Sequence, residues 1–174
     1  MKKNKTNIKG LYIFVGKKFN DHRGYLREIF KKKKINKSLI FSIISKSKKN
    51  VLRGLHLQQK NPQSKFLSVF KGKILDIVVD LRKNSKTFGE HYKVILSDKN
   101  CKSIFIPHGF AHGFLALEKE NIILYSCNNY RNKKSEKSIL WNDKDLKINW
   151  KIKKPIISKK DASAQTLKEF LKKR

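Results

Sequence analysis

The chain has no long apolar run, only two cysteines and three prolines, and 13 acidic residues against 43 basic ones. Each shortage excludes something. No stretch approaches the ~18 apolar residues that a membrane helix needs. The basic N-terminus is followed by Leu11-Tyr12-Ile13-Phe14-Val15, shorter than the ~7–15 residues of a secretory core. Cys101 and Cys127 lack CxxC spacing, and without a secretion signal two buried thiols are expected rather than a disulfide. There is no Pro-rich linker and no internal repeat, so the 174 residues read as one domain, 1–174. No Gly-rich phosphate loop and no G-x-S-x-G elbow is present. The expectation is a soluble, cytoplasmic protein with no membrane partner.

Arginine is also scarce: 6 of the 43 basic residues, at positions 23, 27, 53, 82, 131 and 174. The net charge of +30 invites a polyanion partner, but base readout and bidentate phosphate contacts favour Arg over Lys. The lysines are spread along the whole chain beside abundant Asn and Ile, a pattern of AT-rich codon drift. No aromatic–basic stripe of the kind that binds single strands is evident. A basic nucleic-acid-binding barrel is therefore the second reading, and no specific nucleic-acid partner is expected. Residues 31–34 and 46–49 are expected as solvated loops.

What is present is enough apolar surface for a core: 39% hydrophobic and 10% aromatic residues. The pattern is mostly of short strands. Residues 65–70 alternate, Lys71-Gly72-Lys73 reads as a tight turn, and residues 74–82 form a longer strand. There Leu75, Ile77, Val79 and Leu81 share one face, and Ile74, Asp76, Val78 and Asp80 the other. Further strands are expected over 51–58, 92–96, 103–106, 113–117 and 122–127, separated by turn residues. A spacing of about ten residues per strand indicates an all-β sandwich or barrel. Only residues 162–173 look helical, with Asp161 where an N-cap would stand.

The histidines are His22, His56, His91, His108 and His112. A metal-binding cupin would carry two His separated by one residue, but His56 is followed by Leu57 and Gln58. His108 and His112 are four apart, yet Pro107 and Gly109 exclude a helix that would align them. No metal is expected. What remains is a set of isolated acid–base groups on strands: His56 in an apolar strand, Lys65 at a strand start, and Tyr125 after Ile122-Ile123-Leu124. Each has an ordinary structural reading as well, as a satisfied core His, a solvated Lys and a packing Tyr.

Taken in order, several segments resemble the dTDP-4-dehydrorhamnose 3,5-epimerase family. They are Asp21-His22-Arg23-Gly24, Val51-Leu52-Arg53-Gly54-Leu55-His56, Gln63-Ser64-Lys65, Asp76 to Arg82, Ser85-Lys86-Thr87-Phe88-Gly89, and Ile106-Pro107-His108-Gly109-Phe110-Ala111-His112-Gly113-Phe114. Leu124-Tyr125, Ile139-Leu140-Trp141-Asn142-Asp143 and Ser158-Lys159-Lys160-Asp161 complete the set, which covers about residues 8–165. The resemblance implies a cupin-like jelly-roll barrel with a short C-terminal helical tail, and a homodimer whose N-terminal strands cross to the partner. It implies an isomerase without cofactor, acting on a 4-keto-6-deoxy sugar carried by dTDP. It assigns His56 as base, Asp161 as its carboxylate partner, Lys65 as the cation at the C4 oxygen and Tyr125 as the acid on the opposite face. Arg23 and Arg53 match diphosphate ligands, Asp76 and His112 match polar lining residues, and Glu28 and Gln63 complete the substrate-binding set.

Arg53 and His56 would face opposite ways on a regular strand, which suggests a bulge at Gly54. The family usually carries Gln-x-Asn where this chain has Phe41-Ser42-Ile43, and consecutive Phe where it has Tyr25-Leu26. Within the fold, the alternatives are a single-centre epimerase or a ketoisomerase acting on a related nucleotide-linked 4-keto sugar.

Overall fold

The computed structural model describes residues 1–35 and 37–173. The strands, in order, are β1 (Lys2–Lys5), β2 (Tyr12–Val15), β3 (Lys18–Asp21), β4 (Gly24–Arg27), β5 (Phe41–Lys48), β6 (Leu52–Gln58) and β7 (Lys65–Lys71), then β8 (Lys73–Asp80), β9 (His91–Ser97), β10 (Lys102–Ile106), β11 (Phe110–Ala116), β12 (Glu120–Cys127) and β13 (Glu136–Ser138). Two short helices follow, α1 (Lys159–Ala162) and α2 (Leu167–Lys172). One sheet has six strands in the order β1-β2-β10-β7-β12-β5, a second has five in the order β13-β6-β11-β8-β9, and β3-β4 is a separate hairpin. Every pairing between these strands is antiparallel. This is the expected all-β sandwich of jelly-roll type.

Period-2 alternation distributes the side chains. Ile74 and Val78 point between the sheets, where they meet Ile13, Leu67, Val69, Ile104, Ile123 and Phe114. Leu75, Ile77, Val79 and Leu81 point outward from the second sheet. The chain after β13 covers them with Ile139, Leu146, Trp150, Leu167 and Phe170. Both faces of β8 are therefore buried, as its continuous apolar character requires. On the outer side of the first sheet, Phe14, Phe66 and Phe105 are covered by Ile29, Ile35 and Leu39.

Two expectations need correction. Residues 46–49 are not a loop, because Lys46 and Lys48 belong to β5, the edge of the first sheet. Exposed lysines suit an edge strand, where they discourage pairing with other chains, and Lys46 and Lys71 both clamp Glu120. The tail is not one helix capped by Asp161. Ser158 caps α1 by accepting from the Asp161 N–H, and Thr166 caps α2 in a capping box with Glu169. The Asp161 side chain is thus left free for other work.

Behind the turn that leads into β11, Asp80 is buried and accepts from Arg82, Ser85 and Thr87. Arg82 lies 4.4 Å from the centre of the Phe110 ring and donates to the Lys9 carbonyl. Burial raises the Asp80 carboxyl, but its donors outweigh burial and hold it at about 2. A depressed carboxyl adds stability above its unfolded value of about 3.9, and that stability is lost as pH falls toward the folded value. Asp80→Asn is expected to cost about 1–3 kcal/mol at neutral pH. In urea melts across pH, the gap between wild type and variant should close from about pH 4 to about pH 2; a gap constant over that range would contradict the assignment.

Candidate active site

The sheets part at one end to leave a cavity of about 590 Å³. The second sheet contributes Arg53, His56, His112 and Phe114, and the first contributes Phe41, Ile43, Ser45, Lys65, Tyr125 and Cys127. The tail closes it with Ile156, Ile157, Ser158, Lys160 and Asp161.

A local irregularity brings Arg53 and His56 to the same cavity. His56 pairs with His112, and Arg53 pairs with Phe114. Three steps along β6 thus match two along β11, which is the bulge suggested by Gly54. Gly54 has φ +128°, and a Cβ there would lie 2.5 Å from the Gly113 Cα. Arg53 is braced by its Nε–H to the Ser47 hydroxyl at 3.1 Å and by Nη2 to the Lys46 carbonyl.

His56 Nε2 is 2.7 Å from Asp161 Oδ1, and the other carboxylate oxygen faces the Gly54 N–H at 3.4 Å. Asp161 is buried, while the His56 side chain is about a third exposed (34%) toward the cavity. Burial alone would raise the Asp161 carboxyl. The His56 hydrogen bond and charge, the Gly54 N–H and Ser158 reverse this and hold it below the ordinary value. It stays ionised at neutral pH, as a partner for an imidazolium must.

Tyr125 stands on the opposite sheet. Burial pushes its phenol well above the ordinary value, the nearby Asp76 charge adds to this, and the Ser45 hydroxyl and Arg53 act the other way. It therefore keeps its proton. Burial lowers the Lys65 amine, and Lys65 has no ion pair among the described residues. An unpaired, poorly solvated cation is a strong ligand for negative charge that develops in the cavity. Burial also raises the Cys127 thiol beside it, with Lys65 opposing.

His112 Nε2 is 2.8 Å from Asp76 Oδ2, and both residues are buried. The His112 ring meets the Tyr125 ring edge-on at 6.2 Å. Asp76 lies behind His112 and does not itself line the cavity. Gln63 lines it and donates to the Asn129 carbonyl.

Two candidates lie elsewhere. Arg23 is highly exposed on the β3-β4 hairpin and pairs with Asp21 at 2.7 Å. Glu28 holds the N-terminal amine at 3.1 Å and Lys31. Neither lines the cavity of its own chain.

Sequence reasoning quoted the Ser158–Asp161 segment but gave no role to Ser158 or to the Arg131–Glu136–Lys160 cluster at the cavity rim. Ser158-x-x-Asp161 has the spacing of a helix-start signal and could have been found. The rim cluster joins Arg131 and Glu136, five residues apart, to Lys160, which lies 24 residues beyond Glu136, and had no local signal. Among the described residues no group of three or more His, Cys, Asp or Glu is gathered as a metal site; His112 is buried against Asp76, whereas His108 is exposed.

A jelly-roll cavity with a His–Asp pair on one wall, and on the other a protonated Tyr beside a Lys that has no ion pair among the described residues, belongs to the class of sites that move protons on carbon. Comparison with known proteins gives the particular family. The family model for dTDP-4-dehydrorhamnose 3,5-epimerase matches residues 5–169. The dTDP-4-dehydrorhamnose 3,5-epimerase of Methanothermobacter thermautotrophicus is 41% identical, over 95% of this chain and 94% of the relative. The crystal structure of the Elizabethkingia anophelis enzyme of the same name is 43% identical, with a TM-score of 0.91 over 97% of both chains. A Legionella pneumophila dTDP-6-deoxy-D-glucose-3,5-epimerase, solved with dTDP-4-keto-L-rhamnose, is 37% identical with a TM-score of 0.92, over 96% of this chain and 93% of that one. The chain belongs to the dTDP-4-dehydrorhamnose 3,5-epimerase family.

The bulge gives a stability test. Gly54→Ala combines a positive φ with a backbone clash, so it should lower unfolding free energy by ~3 kcal/mol or more. A urea midpoint equal to wild type would show that β6 and β11 do not approach as described.

Proposed function

We propose that this chain epimerises dTDP-4-dehydro-6-deoxy-D-glucose at C3 and C5, giving dTDP-4-dehydro-L-rhamnose. One observation carries the reading: the His56–Asp161 pair and Tyr125 stand on opposite sheets across one cavity. Inversion needs a proton removed from one face of a carbon and returned to the other. A single group on one face would only restore the original centre.

The protons at C3 and C5 are acidic because each carbon adjoins the C4 ketone. His56 takes the proton, the C–H electron pair moves into an enolate, and Asp161 balances the imidazolium. Lys65 meets the charge on the C4 oxygen; such a donor is typically worth ~3–4 kcal/mol in the transition state. Tyr125 delivers a proton to the opposite face of the carbon, and exchange with solvent resets both groups before the second centre reacts. Arg53 and Gln63 hold the nucleotide sugar, with His112, backed by Asp76, lining the cavity. The planar guanidinium of Arg53 suits the diphosphate. Both cysteines are free and buried, which fits a reducing cytoplasm.

Turnover of this keto sugar in heavy water tests the reading. Deuterium should enter at both C3 and C5. His56→Ala should lose both exchange and inversion by at least ~10²–10⁴-fold. Tyr125→Phe should retain some exchange while inversion falls. Label at one carbon only would reassign the chain as a single-centre epimerase, and no label with folded protein would end the epimerase reading.

We further propose a homodimer in which the β3-β4 hairpin reaches the partner's cavity, where Arg23 and Glu28 join the substrate site. Phe19, Tyr25 and Leu26 of the hairpin are exposed, as are Ile44 and Phe70 of the first sheet. Arg27 donates to the Val69 carbonyl, yet its Nε and Nη2 are buried without a hydrogen-bond partner among the described residues. Exposed apolar side chains and an unsatisfied guanidinium suit a face that is covered in an assembly. A charge of +30 per chain opposes association, so moderate salt favours it. Light scattering should give a mass near twice 20.4 kDa, and Arg23→Ala should raise KM without changing that mass. A monomer at micromolar concentration would overturn the dimer.

A further inference from the structure

We infer that Phe41 and Ile43 determine which sugar this chain accepts, by forming an apolar wall that seats the C5 methyl group of a 6-deoxy hexose. The inference rests on the epimerase reading above and adds a specificity role for two residues outside the acid–base set.

β5 is the edge of the first sheet beside β12, and its alternate side chains Phe41, Ile43 and Ser45 all line the cavity. Register fixes their neighbours. Ile43 pairs with Tyr125 and Phe41 pairs with Cys127, whose partner on the other side is Lys65. The wall therefore runs directly alongside the proposed acid and one residue away from the proposed oxyanion ligand. Ile43 keeps 44% of its surface exposed although it points into the cavity, so its apolar surface is left for a ligand to cover. Phe41 is steadied from behind by Tyr130, with ring centres 5.9 Å apart.

The polar side chains of the reacting region are His56, Lys65, Gln63, His112 and Arg53, and the cavity's other apolar residues, Phe114 among them, lie on the second sheet and the tail, away from the Tyr125 wall. A 4-keto-6-deoxyhexosyl group has one wholly apolar substituent, the methyl on C5. Its hydroxyls at C2 and C3 need hydrogen-bond partners, and neither Phe41 nor Ile43 can supply one. The methyl against Ile43 lets every hydroxyl face the polar side. It also sets C5 beside Tyr125, as proton return at that carbon requires. A substrate with a hydroxyl on C6 would bury it against the wall unpaired.

The test compares kcat/KM for dTDP-4-keto-6-deoxyglucose and its 6-hydroxy counterpart, with dTDP binding measured in parallel. Wild type should favour the 6-deoxy sugar by ~10²-fold, the scale on which an apolar pocket rejects an added hydroxyl. Ile43→Asn should reduce that preference about tenfold with dTDP affinity nearly unchanged, and Ile43→Val should preserve it. Phe41→Gln gives the same readout should Ile43→Asn not fold. An unchanged preference in the polar variants would overturn the inference, and so would a loss that appears in dTDP binding alone, because the wall would then seat the base. Both outcomes leave wild-type turnover intact. Failure of the epimerase reading would show separately, as no turnover of either sugar.

Discussion

The hydrogen bond between His56 and Asp161 is the contact on which the site depends. Its two ends are 105 residues apart, one in the middle of a strand and one in a four-residue helix of the tail. A helix that short has almost no stability of its own. It is placed by Ser158 at its start and by the packing of Leu167 and Phe170 on the outer face of the second sheet. The tail therefore has two tasks in one element. It covers the apolar face of β8 and β11, and it carries a buried carboxylate to the rear of the imidazole. Had Asp161 capped the helix itself, one oxygen would have been spent on backbone N–H groups. Ser158 takes that role, so Oδ1 meets His56 and Oδ2 faces the Gly54 N–H.

The second dependence is on opposed faces. Two sheets packed face to face lie about 10 Å apart with their side chains interdigitated, so a sugar ring fits only where they part, between the proposed base on one sheet and the proposed acid on the other. Within the second sheet the alternation had to be broken, because Arg53 and His56 lie three residues apart and would otherwise diverge. The bulge at Gly54 restores them to one side, and the absence of a Cβ at both Gly54 and Gly113 lets β6 and β11 remain paired through it. One residue type thus reconciles a strand's period with the needs of the site.

Much of this was legible in the sequence, for physical reasons. β7, β8, β11 and β12 alternate or run apolar because they are central strands with a buried face, so residues 65–70, 74–82 and 122–127 announced themselves. β5 did not. It is an edge strand whose second half is Ser and Lys, and its outward residues meet solvent, so no period-2 signal survives beyond Ile43. The hairpin β3-β4 was silent for a similar reason, since it packs in neither large sheet. In the tail, Leu167, Phe170 and Leu171 have helical spacing, but Ala164 and Gln165 break the run; Gln165 bridges to Ile139 in an extended conformation. The resemblance located His56, Lys65, Tyr125 and Asp161, but the separation of Arg23 and Glu28 from their own chain's cavity is a property of the fold that no local pattern encodes.

Burial acts on the acid–base groups in a coordinated way. It presses each toward its neutral form, lowering Lys65 and raising Tyr125 and Cys127. At Asp161 alone among these groups the hydrogen bonds and charge of its partners outweigh burial. The cavity thus keeps its ionised carboxylates, Asp161 behind the proposed base and Glu136 at the rim, on the side of the second sheet and the tail, and none on the opposite wall, where a phenolate would repel the enolate. A phenol made less acidic by burial is still acid enough for this task, because the carbon of an enolate is a far stronger base than phenolate. Raising Tyr125 therefore costs little in proton delivery and prevents loss of the proton to solvent beforehand. The same desolvation makes the Lys65 cation worth more to the developing oxyanion than it would be in water. A pocket that is partly apolar, with Phe41, Ile43 and Phe114 in its walls, suits four ordinary side chains to the roles proposed for them, base, counter-ion, oxyanion ligand and acid, at one pH.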